Sequence, residues 1–498
     1  MQQTKVYVVV DLGFGDAGKG TVVDYLVRTR KAGTVVRFNG GAQAAHNVTL
    51  PDGRRHPFSQ FGSGTFVPGV KTYLTEDVLF DPNSLLGEEA ALQALGVTDA
   101  FERFAVHEEC LVVTPFHRTA NRLREVARGD KPHGSCGMGI GEAMSDATGR
   151  DKVAIRVKDL LLPADELRRK LEWVRQYNEG KALVYYPKYK EHQLGQGLDP
   201  SAVEWFLDQC RRVADLVTIA DDAYEDKHVF NCDSDQVVVC EGAQGVLLDE
   251  HYGFHPYTTW STVTPHRVLE KIREANYITG TVGGEVERVG VTRAYQTRHG
   301  AGPFPTWERG GKAWEHLGAP DANKEHEWQG KFRVGWLDTV LLRYAIEACS
   351  VPWSTQTIDW LAVTCLDRLH GAFPQVPVCT HYVQYRADAK KVRHLPVARR
   401  PTLGGQEILT EFLMGAQPSQ FPRFDVSYQA VDYDHLLPYI EQQVGVPVGL
   451  SSRGPTWQDK LEHEAWVVHG IYGKTKVKHG PEEVGRNPGE TQLQFRTP

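Results

Sequence analysis

Apolar positions along this chain fall into two spacings, and their order predicts the fold. Val8, Val9 and Val10 form an unbroken run that reads as a buried strand. Val22, Val23, Tyr25 and Leu26 then recur at the spacing of one helix face. Further strands are predicted at 34–38, 236–240, 361–365 and 446–450. A helix is predicted at 201–217, where Val203, Phe206, Leu207, Cys210, Val213 and Leu216 line one stripe behind Pro200, and another at 338–349. Strands alternating with amphipathic helices predict an α/β architecture. No internal repeat or linker divides the chain, and no apolar run is long enough to span a membrane. From about Lys476 to Pro498 the sequence turns polar and rich in Gly and Pro, and is expected to be poorly ordered or wrapped on the surface.

Composition narrows the class. With 498 residues, 41% hydrophobic and 24% charged, the chain can bury a large core. A net charge of −7 gives no global positive field, so nucleic acid is not an expected partner. The eight cysteines are scattered without a CxxC pair, and the N-terminus runs straight into a strand with no signal-peptide pattern. Both favour reduced thiols in a cytoplasmic protein.

Chemistry concentrates in glycine-rich turns after the strands. Gly13-Phe14-Gly15-Asp16-Ala17-Gly18-Lys19-Gly20-Thr21 sits between the first strand and helix, the layout of a phosphate cradle. Glycines admit backbone N–H groups, the helix N-terminus adds positive potential, and Lys19 adds a full charge. It fits G-x-x-x-x-G-K, with Gly20-Thr21 where a P-loop has Ser or Thr directly after Lys. Asp16 would repel phosphate, so its place in the loop points to proton transfer or a metal. The alternative is a generic glycine turn carrying a surface lysine.

Five more segments follow. Gly40-Gly41-Ala42-Gln43-Ala44-Ala45-His46 places one neutral-range titrating group beside a close backbone approach. Alone, His46 reads as a capped turn histidine; beside the first loop, a catalytic role is the better reading. Its glycine-rich surroundings predict no packing role. Gly134-Ser135-Cys136-Gly137, followed by Arg150 and Arg156, suits a second phosphate. Glu241-Gly242-Ala243-Gln244-Gly245 delivers a base-reading amide from a strand, and Thr259 lies in a turn after Pro256. Thr297 to Thr306 is stiffened by prolines. Gly330-Lys331-Phe332-Arg333 is a basic loop suited to a dicarboxylate or phosphate, or else a solvated loop.

The order and content of these segments resemble the adenylosuccinate synthetase family. Its GDEGKG loop corresponds to Gly15 to Gly20, its GGHNAGH loop to Gly40 to His46, and its EGAQGTLLD to Glu241 to Asp249. TRxGAGPFPT corresponds to Thr297 to Thr306, and GWLDT to Gly335 to Thr339. The resemblance covers about residues 6–455. It implies that family's α/β fold, with a central mostly parallel sheet, helices, long active-site loops and a P-loop-like first turn. Residues 1–475 then form one catalytic domain, with 476–498 as its tail.

It also implies the reaction: a purine triphosphate, GTP or ATP, phosphorylates the 6-oxygen of IMP, and the amine of L-aspartate displaces phosphate. On this resemblance Asp16, His46 and Lys19 are catalytic. Gly15, Gly18, Gly20, Gln43, Ser135, Cys136, Arg150, Gln244, Thr259, Asp367 and Gly454 bind nucleotide or phosphate. Lys331 and Arg333 bind the amino acid, and Asp16 with Ala45 holds Mg²⁺. Arg150 falls near an arginine that reaches the neighbouring subunit's nucleotide, which implies a homodimer with shared sites.

The departures are specific. Ala42-Gln43 replaces His-Asn, and Ser135-Cys136 replaces a Thr-Thr pair. Only two cations remain of TTGRRRR, and TKLD has become Thr364-Cys365-Leu366-Asp367. The opening Val10 to Gly15 also resembles the phage branch that acts on dGMP, although that branch generally lacks the loop aspartate. Two alternatives therefore stand beside the IMP reading: the same chemistry on GMP, dGMP or another amine donor, and a nucleotide-sensing dimer without turnover.

Overall fold

The computed structural model describes residues 4–129, 134–149, 153–230, 236–279, 285–318, 328–350, 357–384, 390–415 and 424–463; the side chains of 276–279 and of Lys312 are not described. A ten-stranded sheet forms its centre. In spatial order the strands are Thr218–Ala220, Phe104–His107, Lys71–Leu74, Thr34–Arg37, Val237–Glu241, Lys5–Asp11, Glu285–Arg293, Trp360–Thr364, Val448–Ser452 and Lys460–Glu462. Every neighbouring pair is parallel except the last, which is antiparallel.

The apolar run of the first strand is continuous because both of its faces are covered. Val6, Val8 and Val10 enter one large core, while Tyr7 and Val9 enter another with Val22, Val23 and Leu26 of the helix Lys19–Arg30. A parallel strand in the middle of a sheet has no solvent face, so no polar alternation is expected. A five-stranded second sheet, including Tyr295–His299, Phe332–Asp338 and Gln375–Gln384, shares the larger core through Val334, Leu337, Val378 and Tyr382.

Most predicted elements are present with small shifts. The helix predicted at 338–349 is Thr339–Ala348, because Asp338 ends a strand and caps the helix, accepting the N–H groups of Val340 and Leu341. The helix at 201–217 is Ser201–Leu216. The strand predicted at 446–450 is Val448–Ser452, starting after Pro447, which has no N–H to give a sheet ladder. The predicted tail lies outside the described residues, as does Cys232; the seven described cysteines are unpaired. No described helix is long and apolar enough to cross a membrane.

The first strand is flanked by Val237–Glu241 on one side and Glu285–Arg293 on the other, so the chain changes direction across it. The turns at the carboxyl ends of these parallel strands pack against one another, linked through Lys19 to Gln244, Arg293 to Asp16 and Thr364 to Ala17, at the end of the sheet where open α/β folds hold their ligands.

Candidate active site

The first loop is built as a cradle. Gly15, Asp16 and Gly18 all take left-handed backbone angles (φ 91°, 59° and 86°), a conformation found in the backbone nests that bind anions. Asp11, fully buried, fixes the turn by accepting the N–H of Gly13 at 2.8 Å and of Ala17 at 2.9 Å. Lys19 is only 3% exposed: its Nζ donates to Asp11 at 3.2 Å and to the carbonyl of Gln244 at 2.6 Å. The lysine therefore joins the first loop to the Gln244 loop as well as bringing charge to it. The two backbones touch so closely that a Cβ on Gly245 would lie 2.2 Å from the Gly13 carbonyl, which requires glycine there.

The Asp16 side chain is partly exposed. Its carboxylate Oδ2 lies 3.2 Å from His299 Nε2, and its backbone carbonyl accepts Arg293 Nε at 2.6 Å. Burial works to raise its pKa. The hydrogen bond and charge of His299, with Arg293 and Lys19, outweigh burial and hold the carboxyl below its usual value.

His46 is buried, not a surface turn residue, and the expectation that it plays no packing role is overturned. Its Nδ1 donates to Glu241 Oε1 at 2.5 Å, and Glu241 also accepts the N–H and hydroxyl of Ser63, at 2.9 and 2.5 Å. Burial and the nearby Arg37 charge push the His46 pKa down against the pull of Glu241. Glu241 itself is held low, because Arg37, His46 and Ser63 outweigh its burial. The resting pair is thus a neutral imidazole on a carboxylate, with Nε2 free to face a ligand.

The second loop also locks to the fourth. Asn39 accepts the Ala243 N–H at 2.7 Å, and the Ser261 hydroxyl accepts the Gly40 N–H at 3.1 Å. Gln43 and Gln244 each keep a buried amide oxygen without a partner, and Gln244 sits at φ 56°. Unsatisfied buried amides fit groups reserved for a ligand. Ala45 is exposed. Thr259 donates its N–H to the Leu248 carbonyl at 2.8 Å, which fixes its turn against the fourth loop.

A cavity of about 500 Å³ opens between the third, fifth and sixth loops, lined by Tyr257, Gly302, Trp307, Trp328, Lys331 and Arg333 among others. Ser135 bonds Asn121, and Cys136 next to it is half-buried, its thiol pKa raised by burial. Arg333 gives both terminal nitrogens to the Gly302 carbonyl at 3.1 Å, and Arg298 gives its Nη1 to the Pro303 carbonyl at 2.9 Å. Among the described residues neither buried arginine has a carboxylate partner. Burial and neighbouring arginines push both pKa values down, Arg333 to about 10. Uncompensated buried cations beside a cavity favour an anionic occupant. Lys331 stands exposed at its edge.

On the other side of the first helix, Thr21 Oγ1 donates to the Pro455 carbonyl at 3.0 Å, so the loop carrying Gly454 abuts the cradle. Lys460 Nζ, donating to the carbonyls of Gly454 (3.1 Å) and Thr456 (2.7 Å), holds that loop; burial pushes its pKa down to about 8. Cys365 takes a left-handed φ of 58°, and Asp367 after it is exposed.

Arg150 lies outside the described residues. Lys19 joins the first loop to that of Gln244, Lys331 and Arg333 line the separate cavity, and the loop of Gly454 lies against Thr21 of the first helix. Sequence reasoning missed Glu241, Ser63, Arg37, His299 and Lys460. Glu241 and His299 lie inside motifs already read, at strand ends; Ser63 and Lys460 carry no local signal.

Comparison with known proteins gives one family. The family profile described as adenylosuccinate synthetase matches residues 8–461. Adenylosuccinate synthetase of Pseudoalteromonas atlantica is 32% identical over 467 residues, covering 91% of this chain and 96% of the relative. That of Edwardsiella ictaluri is 33% identical over 470 residues, covering 92% and 98%. Among solved structures, fully ligated adenylosuccinate synthetase from Plasmodium falciparum superposes with a TM-score of 0.68 at 18% identity, over 92% of this chain and 100% of that one. Cyanophage S-2L succinoaminodeoxyadenylate synthetase, bound to dGMP and to dATP as energy donor, gives 0.55 at 17% identity over 92% and 95%. At such identities these two structures show a shared fold.

Proposed function

Because the chain belongs to the adenylosuccinate synthetase family, we propose that it joins L-aspartate to the purine of IMP at the expense of a purine triphosphate. It is a ligase forming a C–N bond. What supports the residue assignment is the interlocking of the first, second and fourth loops, through Lys19 on the Gln244 carbonyl, Asn39 on the Ala243 N–H and His46 on Glu241.

Asp16 takes the N1 proton of IMP, and the electron pair passes to the 6-oxygen. That oxygen attacks the γ-phosphorus, and the nucleoside diphosphate leaves. The aspartate amine then attacks C6 and expels inorganic phosphate. Little covalent chemistry falls to the protein, so positioning and charge neutralisation dominate. Backbone N–H groups of the cradle and Lys19 face the phosphates. His46 Nε2 needs a second proton before it can donate to the transferring phosphoryl group. The negative charge of the arriving triphosphate favours that proton, and Glu241 stabilises the resulting imidazolium.

Gln43 and Gln244 read the purine, Ser135, Cys136 and Thr259 its phosphate, and Lys331 with Arg333 the aspartate carboxylates. Asp367 and Gly454 face the base of the triphosphate. Hard oxygen donors suit Mg²⁺, and the Asp16 carboxylate with the Ala45 carbonyl would hold it. Bound there, it would neutralise charge on the phosphates. The active form is a homodimer in which Arg150 reaches the partner's nucleotide.

The test is phosphate release against IMP, GMP and dGMP, each with GTP or ATP and aspartate, for the wild type and Asp16→Asn. Turnover with IMP, cut about 10²–10⁴-fold in Asp16→Asn while nucleotides still bind, supports the reading. Turnover only with GMP or dGMP moves it to the other acceptor. Tight binding with no release under any pair makes the chain a sensor.

A further inference from the structure

Asp16 is pinned along its backbone by two neighbouring strands. Arg293 Nε holds its carbonyl at 2.6 Å, and Thr364 Oγ1 holds that of Ala17 at 2.7 Å. Neither contact fixes the carboxylate, which is still free to turn about its own side-chain bonds. The side chain that meets it is His299, at the variable position of the fifth motif and the last residue of the strand Tyr295–His299.

His299 is itself held firmly. Its ring lies 4.9 Å from that of Phe332 at 51°, on the adjacent strand, where His299 pairs in register with Phe332. Its Nδ1 is buried without a hydrogen-bond partner. A carboxylate oxygen only accepts, so in the 3.2 Å contact with Asp16 Oδ2 it is His299 Nε2–H that donates. The donor is therefore clamped by aromatic packing, points one way, and occupies one carboxylate oxygen while leaving the other for chemistry.

We propose that His299 is the positioning residue of the catalytic base: its Nε2–H holds the Asp16 carboxylate in the orientation from which it takes the purine proton. This rests on the assignment of Asp16 as base. It adds a residue to which the loop chemistry gives no role, and it makes the fifth motif part of the catalytic apparatus.

Two variants of the full-length enzyme test it. His299→Phe keeps the aromatic contact with Phe332 and removes the donor; His299→Gln restores a donor at about the same reach. His299→Phe is expected to lower kcat about 10- to 100-fold, the effect of one hydrogen bond to a charged group. The KM values for acceptor nucleotide, triphosphate and aspartate should stay within about threefold and the melting temperature within a few degrees. His299→Gln should recover most of the lost kcat. Wild-type kcat in His299→Phe, while Asp16→Asn is inactive, overturns the proposal and leaves the Asp16 assignment standing. Full turnover in Asp16→Asn removes the base and the proposal with it. A large fall in melting temperature that His299→Gln does not repair makes the histidine a packing residue only and also overturns it.

Discussion

His46 shows how much one residue's role depends on what surrounds it. As a loop histidine it is cheap to replace; buried on Glu241, it is not. Replacing it removes one donor from a fully buried carboxylate, a loss of about 1–3 kcal/mol, so His46→Gln should lower the melting temperature as well as turnover. The same pair predicts a pH dependence. The folded pKa of His46 is lowered from 6.5 to about 4, so the unfolded chain binds the proton first as pH falls. Its share of stability is present above 6.5 and is lost as pH falls toward 4. The stability gap between wild type and His46→Gln should therefore narrow across that window in urea titrations at stepped pH. A gap that stays constant from pH 7 to 4.5 would contradict the neutral-imidazole assignment.

Among elements, the first helix illustrates the tension between propensity and site. Gly20 lies inside Lys19–Arg30, where alanine ordinarily stabilises. A Cβ there would stand 2.9 Å from His46 Cβ and 3.1 Å from Ser63 Oγ. Gly20→Ala should thus destabilise the protein and displace His46, cutting turnover at least tenfold in a steady-state assay. Gly180, in the helix Ala164–Tyr185 with nothing within 4 Å of its would-be Cβ, is the control; Gly180→Ala should stabilise by about 0.5–1 kcal/mol with activity unchanged.

The turn Thr364–Asp367 carries a second element-scale prediction. Cys365 stands where the resembling motif has lysine, and Lys460 is engaged by the carbonyls of Gly454 and Thr456. Losing one base contact is worth about 1–3 kcal/mol. ATP should therefore support measurable turnover beside GTP, and Cys365→Lys should shift competition kinetics toward GTP. Strict GTP dependence of the wild type, with ATP inactive at millimolar concentration, would defeat this view of the turn.

At the scale of the whole molecule, the proposed shared-site dimer predicts complementation. Mixing Asp16→Asn with Arg150→Leu subunits should restore activity, since one site of each hybrid carries neither lesion. No recovery despite proven subunit exchange would place Arg150 within its own subunit's site. Much of this architecture was legible beforehand because it is written in local pattern. A short unbroken valine run bounded by glycine turns reads as a strand buried on both faces, and the glycine-rich turn after it marks where backbone can approach a ligand. The sequence by itself determined the α/β class, the positions of the main elements and the loops that bear Asp16, His46 and Gln244. Tertiary structure alone decided their partners. Glu241 is 195 residues from His46, Gln244 is 225 from Lys19, and His299 is remote from Asp16. The reason is physical: periodicity records which face of an element is buried, whereas a hydrogen bond between strand ends depends on the order in which the sheet is wound.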